Sequence, residues 1–284
     1  MISLLKGRVV TNTLTILAVG GMSTYGISRL FTRSALAESS EPQKVFGKGP
    51  AFKYLRLHSS ESVNHNTKPA LLTFSKPEGS WLPVVRPYTP VSRLDGPGFI
   101  DFLVKKYPNG KASTHLHSLD PGDGLFILAS LPGFAWTPKK FSHVYLIAGG
   151  AGITPIYQLA QGILNNPADK TQVTVIFGVN TEEDLLLRSE LDRYKQQYPG
   201  RLDIYYTVSR PGNEFSSSES VRSGYVTKEL LAEIMQGPDE KDTKVFVCGP
   251  PAMEAALIGS GLFGMGRKGI LEQLGYSKDR IHRF

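Results

Sequence analysis

Hydrophobic and polar positions in the body of this chain change rhythm near residue 139. From about Ala51 to Trp136 the apolar runs are short: FKYLRL, ALLTF, LPVVR, FIDFLVKKY and GLFILASL. Clusters of Pro, Gly, Asn and Asp, such as YPNGK and LDPGDG, separate them. Short β-type runs between turn signals predict a small antiparallel β-barrel. After Ser142 the strand-like HVYLIAGG, QVTVIFGV, LDIYYTVS and KVFVCG alternate with the helix-like PIYQLAQGIL, DLLLRSELDRYKQQY and YVTKELLAEIM. Apolar strands alternating with amphipathic helices predict a doubly wound parallel sheet. The boundary falls at WTPKKFS, giving domains at 51–138 and 139–284. No internal repeat is present.

The amino-terminal segment follows a third pattern. NTLTILAVGGMSTYGISRLF, from Asn12 to Phe31, is mostly apolar and carries no charge before Arg29. It is long enough to cross a bilayer as one helix. Lys6, Arg8, Arg29 and Arg33 flank it, and the first acidic residue is Glu38. Basic flanks without acids predict a mitochondrial targeting segment or membrane anchor over 1–37, single-pass, on the outer membrane or facing the intermembrane space. A cleaved secretory signal and an ordinary buried helix are the alternatives. Polar residues 38–50, ESSEPQKVFGKGP, read as a linker.

Composition narrows the chemistry. A chain of 284 residues, 40% hydrophobic and 20% charged, is globular and long enough for two domains. One cysteine, Cys248, excludes a disulfide framework, a zinc cluster, a cysteine-ligated iron–sulfur centre and a CxxCH haem site. Six histidines are scattered, so no metal is expected; His115 and His117 either share a strand face or sit in loops. The net charge of +7 is partly confined to the amino-terminal segment. The body is too weakly basic to indicate nucleic acid, but it suits an acidic protein partner.

Four stretches carry candidate chemistry. VVRPYTPVS (84–92) runs two β-branched residues into a cation, a ring and a hydroxyl, with Pro87 and Pro90 ending any ladder. LIAGGAGITPI places Gly149, Gly150 and Gly152 between a strand and a helix that begins near Pro155. Glycines there let backbone approach a ligand, and the helix start offers N–H groups to phosphate. This is not GxGxxG, so an ordinary dinucleotide fingerprint is absent. In KVFVCGPPAM a buried strand ends at Cys248, and Gly249, Pro250 and Pro251 turn the chain before Met253. Ligands of open parallel sheets lie beyond the carboxyl ends of strands, so GGAGITP and CGPP can face one crevice. In VKKYPNGKASTHL, Gly110, Lys111 and successive N–H groups can cradle a phosphate; a plain hairpin turn on NG is the alternative.

Together these stretches resemble the flavin reductases that include NADH–cytochrome b5 reductase and the ferredoxin–NADP reductases. RPYTPVS is similar to the flavin motif Arg-x-Tyr-Ser/Thr-x-x-Ser/Asn, NGKAS to the GGKMS flavin-phosphate loop, AGGAGITP to AGGTGITP, and CGPPAM to CGPPPM. VIFGVNTEEDLLLRSEL and the ending GILEQLGYSKDRIHRF look like fungal mitochondrial members. The resemblance implies an FAD-binding barrel followed by an NADH-binding α/β domain. It implies that Arg86 pairs with the flavin pyrophosphate, Tyr88 lies against the flavin, and Thr89 approaches its reactive nitrogen, with Pro87 between them. Lys111 and Ser113, with Gly110 and Ala112, would hold phosphate, and Lys105 and Tyr107 would lie near the nicotinamide dinucleotide. Gly149, Gly150, Gly152, Thr154 and Pro155 would shape the nicotinamide crevice, with Cys248, Gly249, Pro250 and Met253 lining it. Asp184 would favour NADH over NADPH, since a carboxylate repels a 2′-phosphate. Thr89 and Cys248 are the implied catalytic pair. The implied reaction is hydride transfer from NADH to FAD, then single electrons to cytochrome b5 or another one-electron acceptor.

The chain departs from this pattern in three places. Roughly a strand's worth of residues is missing between SKPEGSWLP and VVRPYTP. Ala151 stands where the family has threonine. Ala112 replaces the methionine of GGKMS, and LASLPGF replaces Arg-Gly-Pro. A second reading therefore stands beside the enzyme: a membrane-tethered paralogue that binds flavin weakly or not at all and acts as an interaction protein. An NADPH-dependent metal-ion or quinone reductase on the same fold is disfavoured by Asp184.

Overall fold

The computed structural model describes residues 53–60, 67–68, 74–75, 84–93, 100–127, 133–213, 217, 220–235, 237, 242–260 and 266–284. The expected anchor and linker, and the shortened stretch before VVRPYTP, lie outside the described residues. Among those described, no helix is long and apolar enough to cross a membrane.

The first half contributes β1 (Lys53–Arg56), β2 (Thr67–Lys68), β3 (Phe74–Ser75), β4 (Val84–Val85), β5 (Val104–Lys105), α1 (Lys111–His117) and β6 (Gly124–Ile127). Its pairs β1–β6, β2–β5 and β3–β4 are all antiparallel, as the short alternating runs predict. Leu55, Ile100, Phe102, Val104, Leu116 and Leu125 form its core, with Tyr88 and Leu119 packed against them.

One expectation fails here. NGKAS does not turn a hairpin: a turn at 108–109, closed by the Gly110 N–H on the Tyr107 carbonyl at 3.0 Å and with Asn109 at a positive φ of 59°, leads into α1 at Lys111. His115 and His117 therefore lie on a helix, not on a strand face or in a loop, and His117 Nε2 is 3.0 Å from the Val104 carbonyl. Burial of Ala112, Ser113 and Leu116 holds this short helix, which local propensity alone would leave marginal.

The second half contributes β7 (His143–Gly149), α2 (Ile153–Leu164), β8 (Gln172–Val179), α3 (Arg188–Gln197), β9 (Leu202–Val208), β10 (Val221–Ser223), α4 (Lys228–Ile234), β11 (Thr243–Cys248), α5 (Pro251–Ile258), β12 (Gly259–Ser260), β13 (Arg267–Lys268), α6 (Ile270–Gln273) and β14 (Ile281–Arg283). Six strands form one wholly parallel sheet in the order β10-β9-β8-β7-β11-β14. The central strands β7, β8 and β11 are buried on both faces, which explains their near-continuous apolar runs. A second difference appears at DLLLRSEL. The helix starts only at Arg188, because Glu182–Asp184 form a 3-10 turn and Leu187 takes a left-handed φ of 58°. Leu185, Leu186 and Leu187 are buried instead of forming a helix start.

The halves share a core. Val91 and Leu103, which belong by sequence to the barrel, sit in one cluster with Ile153, Ile156, Tyr157 and Ala160 of α2. At the carboxyl end β14 adds the outer strand, and the Phe284 N–H donates to the Val247 carbonyl at 3.1 Å. The Phe284 ring stacks 5.8 Å from Phe246.

Candidate functional site

Adjacent parallel strands β7 and β11 end side by side, with Ala148 opposite Cys248. Beyond β7, Gly150–Gly152 form a 3-10 turn that runs directly into α2, and Gly150 has φ +51°. The glycines follow from contact. A Cβ on Gly149 would run into Met253 Sδ and lie 2.8 Å from Pro250 Cδ. A Cβ on Gly152 would run into the Cys248 carbonyl and lie 2.9 Å from the Gly249 nitrogen. The two loops expected to face one crevice are thus packed backbone to backbone. The buried Thr154 hydroxyl donates to the Ala151 carbonyl at 3.2 Å and closes the turn. Pro155 lies in the first turn of α2, which carries no acidic residue and no side-chain cap. That end suits an anion.

Cys248 is half-buried, and burial first, then Glu254, pushes its thiol up to about 11. It is a neutral thiol at neutral pH, suited to lining a site and not to nucleophilic attack. Glu254 Oε1 accepts from the Gly249 N–H at 3.2 Å, and Oε2 lies 3.7 Å from Arg283 of β14.

The first half meets α2 beside this turn. Arg86 and Pro87 are exposed, whereas Tyr88, Thr89 and Pro90 are half-buried. Pro90 bridges Phe102, the Val91 N–H donates to the Asp101 carbonyl at 2.7 Å, and the Asp101 N–H donates to Ser92 Oγ at 3.0 Å. The Tyr88 hydroxyl is pushed up by burial, against the pull of the Arg86 charge, and pushed further by Tyr107. Tyr107 is itself pushed up by burial, then by Cys248 and Asp184. Tyr107 is nevertheless 51% exposed. Lys105 Nζ donates to Asp184 Oδ1 at 2.8 Å. These two residues, expected to meet the dinucleotide separately, are each other's partner.

The Ser113 hydroxyl works inside the turn: it accepts from the Tyr107 N–H at 3.2 Å and donates to the Gly110 carbonyl at 3.0 Å. Gly110 is required there, since its Cβ would lie 2.5 Å from Ser113 Oγ. What α1 offers a phosphate is the exposed Lys111 and the N–H groups of a first turn without acids.

Sequence reasoning misses four residues. Gln158 and Gln161 of α2 donate to backbone carbonyls of Pro90, Val91 and Ser92. Glu254 holds the CGPP turn. The buried Thr207 hydroxyl, opposite Gly178 at the end of β9, has no hydrogen-bond partner among the described residues. The available signal was Gln161, a polar side chain on the apolar stripe of α2; Thr207 and Glu254 gave none.

Residues 76–136 match the oxidoreductase FAD-binding domain and residues 146–258 the oxidoreductase NAD-binding domain. NADH-cytochrome b5 reductase 2 of Pyricularia oryzae is 40% identical over 291 residues, covering 93% of this chain and 87% of that protein. This chain belongs to the NADH–cytochrome b5 reductase family. The Botryotinia fuckeliana NADH-cytochrome b5 reductase 2 is 42% identical, covering 84% of this chain and 74% of that one. Among solved structures, the cytochrome b5 reductase domain of Ulva prolifera nitrate reductase superposes with a TM-score of 0.68 at 26% identity, covering 82% of this chain and 97% of that one. The CS-b5R domains of human Ncb5or give 0.64 at 25% identity, covering 83% and 70%. In this cytochrome b5 reductase the FAD-binding match spans RPYTPVS and α1. The NAD-binding match spans GGAGITP, Asp184 and CGPPAM. The residues present fit both groups: two helix starts without acids, a glycine-lined approach, a guanidinium beside a tyrosine, and a buried hydroxyl without a partner.

Proposed function

We propose that this reductase passes electrons from NADH through FAD to cytochrome b5 or a similar one-electron haem acceptor, and that it does so from a mitochondrial membrane. When bound, FAD supplies the redox chemistry, accepting two electrons together as hydride and releasing them singly. The observation that carries this reading is the backbone contact of GGAGITP with CGPP at the ends of β7 and β11, on a helix that Gln158 bonds to the RPYTPVS segment.

The roles of individual residues follow from their chemistry. Arg86 binds the flavin pyrophosphate through a guanidinium that suits phosphate oxygens. Lys111 and the first-turn N–H groups of α1, over Gly110, Ala112 and Ser113, hold phosphate from the other side. Tyr88 offers a ring against the flavin, Pro87 stiffens the segment, and the Thr89 hydroxyl orients the reacting edge. The backbone of Gly149, Gly150 and Gly152 admits the nicotinamide closely, with Thr154 and Pro155 fixing the turn. Cys248, as a neutral thiol, Gly249, Pro250 and Met253 exclude water from its other side. Lys105, Tyr107 and Asp184 meet the dinucleotide ribose and phosphate.

For the membrane, support lies in the uncharged run from Asn12 to Gly26 and its basic flanks. We take 1–37 as the anchor, 38–50 as the linker, 51–138 as the FAD-binding half and 139–284 as the NADH-binding half. Alkaline extraction and protease protection of isolated mitochondria test the anchor and its face; a chain released by alkali removes the membrane claim.

The activity test uses the full chain in detergent, loaded with FAD and mixed with NADH without oxygen. Flavin absorbance should bleach within seconds, and added oxidised cytochrome b5 should then show the reduced haem spectrum. A chain that retains no FAD would be the tethered interaction protein instead.

A further inference from the structure

The helix that opens at the nucleotide loop also grips the flavin motif. Gln158, one turn beyond Thr154 on α2, donates through Nε2 to the Pro90 carbonyl at 2.9 Å and to the Ser92 carbonyl at 2.8 Å. A primary amide nitrogen carries two protons, so this bridge uses both. Gln161 adds a longer contact, 3.4 Å to the Val91 carbonyl. Segment 90–92 pairs with 100–102 through Pro90, Val91 and Ser92 Oγ. The Pro90 and Ser92 carbonyls are met by a side chain of the other half. Val91 and Leu103 then seal the same contact by entering the α2 core cluster.

We propose that Gln158 is a positioning residue for hydride transfer, which sets the separation between the RPYTPVS segment and the GGAGITP loop. The inference rests on the reductase reading above. Thr89 precedes the bridged Pro90 directly, and Thr154 lies on the same face of α2 four residues before Gln158. A rigid helix and a proline-flanked strand leave little slack between the two contacts. Hydride transfer is steep in distance, so a displacement of about 1 Å costs on the order of a hundredfold.

Gln158→Met tests this, since it keeps length and packing but has no N–H to donate. The full chain is loaded with FAD, and flavin reduction by NADH is followed anaerobically per bound flavin. The variant should retain FAD, hold the KM for NADH within about twofold, and reduce flavin about 10–100-fold more slowly. The deuterium isotope effect on flavin reduction, with NADH labelled at the transferred hydrogen, should reach its full intrinsic size. Gln161→Met, at the longer contact, should lose threefold or less. If Gln158→Met does not fold, Gln158→Asn replaces it, keeping the amide but withdrawing it by one methylene, with the same loss expected. A variant that melts earlier or holds less flavin, yet reduces each bound flavin at the parental rate, overturns the proposal. Failure of the parent chain to be reduced by NADH would instead overturn the reductase reading, before any variant is compared.

Discussion

Lys105 and Asp184 form an ion pair of 2.8 Å that ties a strand of the barrel half to the 3-10 turn after β8, with side chains only 17% and 8% exposed. An ion pair this shielded is held less by net attraction than by the cost of breaking it. Removing one partner strands the other charge where water reaches it poorly.

Lys105→Met should therefore destabilise the protein by about 3 kcal/mol, at the lower end for a buried pair because Lys105 keeps some exposure. Asp184→Asn should cost less, since the amide can still accept from Lys105. A double-mutant cycle in urea measures the coupling; a value below about 0.5 kcal/mol would mean the pair contributes nothing beyond its single residues.

The same carboxylate bears on cofactor choice. Asp184→Thr should weaken NADH by about 1.5 kcal/mol, roughly tenfold, by removing a charged acceptor for the 2′-hydroxyl. NADPH should gain through lost repulsion. The ratio of kcat/KM values for the two nucleotides is the readout, and an unaltered ratio takes Asp184 out of specificity.

Arg86→Ala should release flavin more readily than it changes the KM for NADH. Arg86 is exposed beside Tyr88, and its loss removes a charge-assisted contact of about 2 kcal/mol to phosphate, with little effect on core packing. Flavin retained through gel filtration at the parental level would count against the assignment.

Two glycines of the same region should respond in opposite senses. Gly152→Ala drives a methyl into the Cys248 carbonyl and should cost about 2–3 kcal/mol by overpacking, with a raised KM for NADH. Gly162→Ala, on the exposed face of α2 with nothing within 4 Å, should stabilise by about 1 kcal/mol. Thermal melting of both variants decides it.

Alkaline pH should expose the buried acids. Cys248 is pushed from its usual 9.0 to about 11, and Tyr157 from 10.0 to about 12, in each case mainly by burial. Raised acids bind protons more tightly in the folded state. Their contribution is complete below the unfolded values and is lost as pH rises through the folded ones. Stability should hold to about pH 9 and fall above it, as read by urea midpoints. Alkylation of Cys248 should stay slow until the same range, and Glu254→Gln should move its onset to lower pH.

By itself the sequence determined whatever depends on local period and local chemistry. Apolar runs at 143–149, 172–179, 202–208 and 243–248, with helices between them, are a parallel sheet because burial on both faces leaves no room for polar alternation. RPYTPVS, GGAGITP and CGPPAM were legible because each gathers its chemistry within a few residues. Two local readings failed where burial outweighed propensity. NG turns the chain, yet into α1 and not into a hairpin, because Ala112 and Leu116 are buried, and the leucines before Arg188 are buried at the cost of a left-handed Leu187. Only the tertiary structure decided the pairings: Lys105 with Asp184 across 79 residues, and Gln158 with Ser92 across 66. Hydrophobic period says which face of a helix is buried, but not which carbonyl of a distant strand needs a donor. That need exists only once the two halves have met.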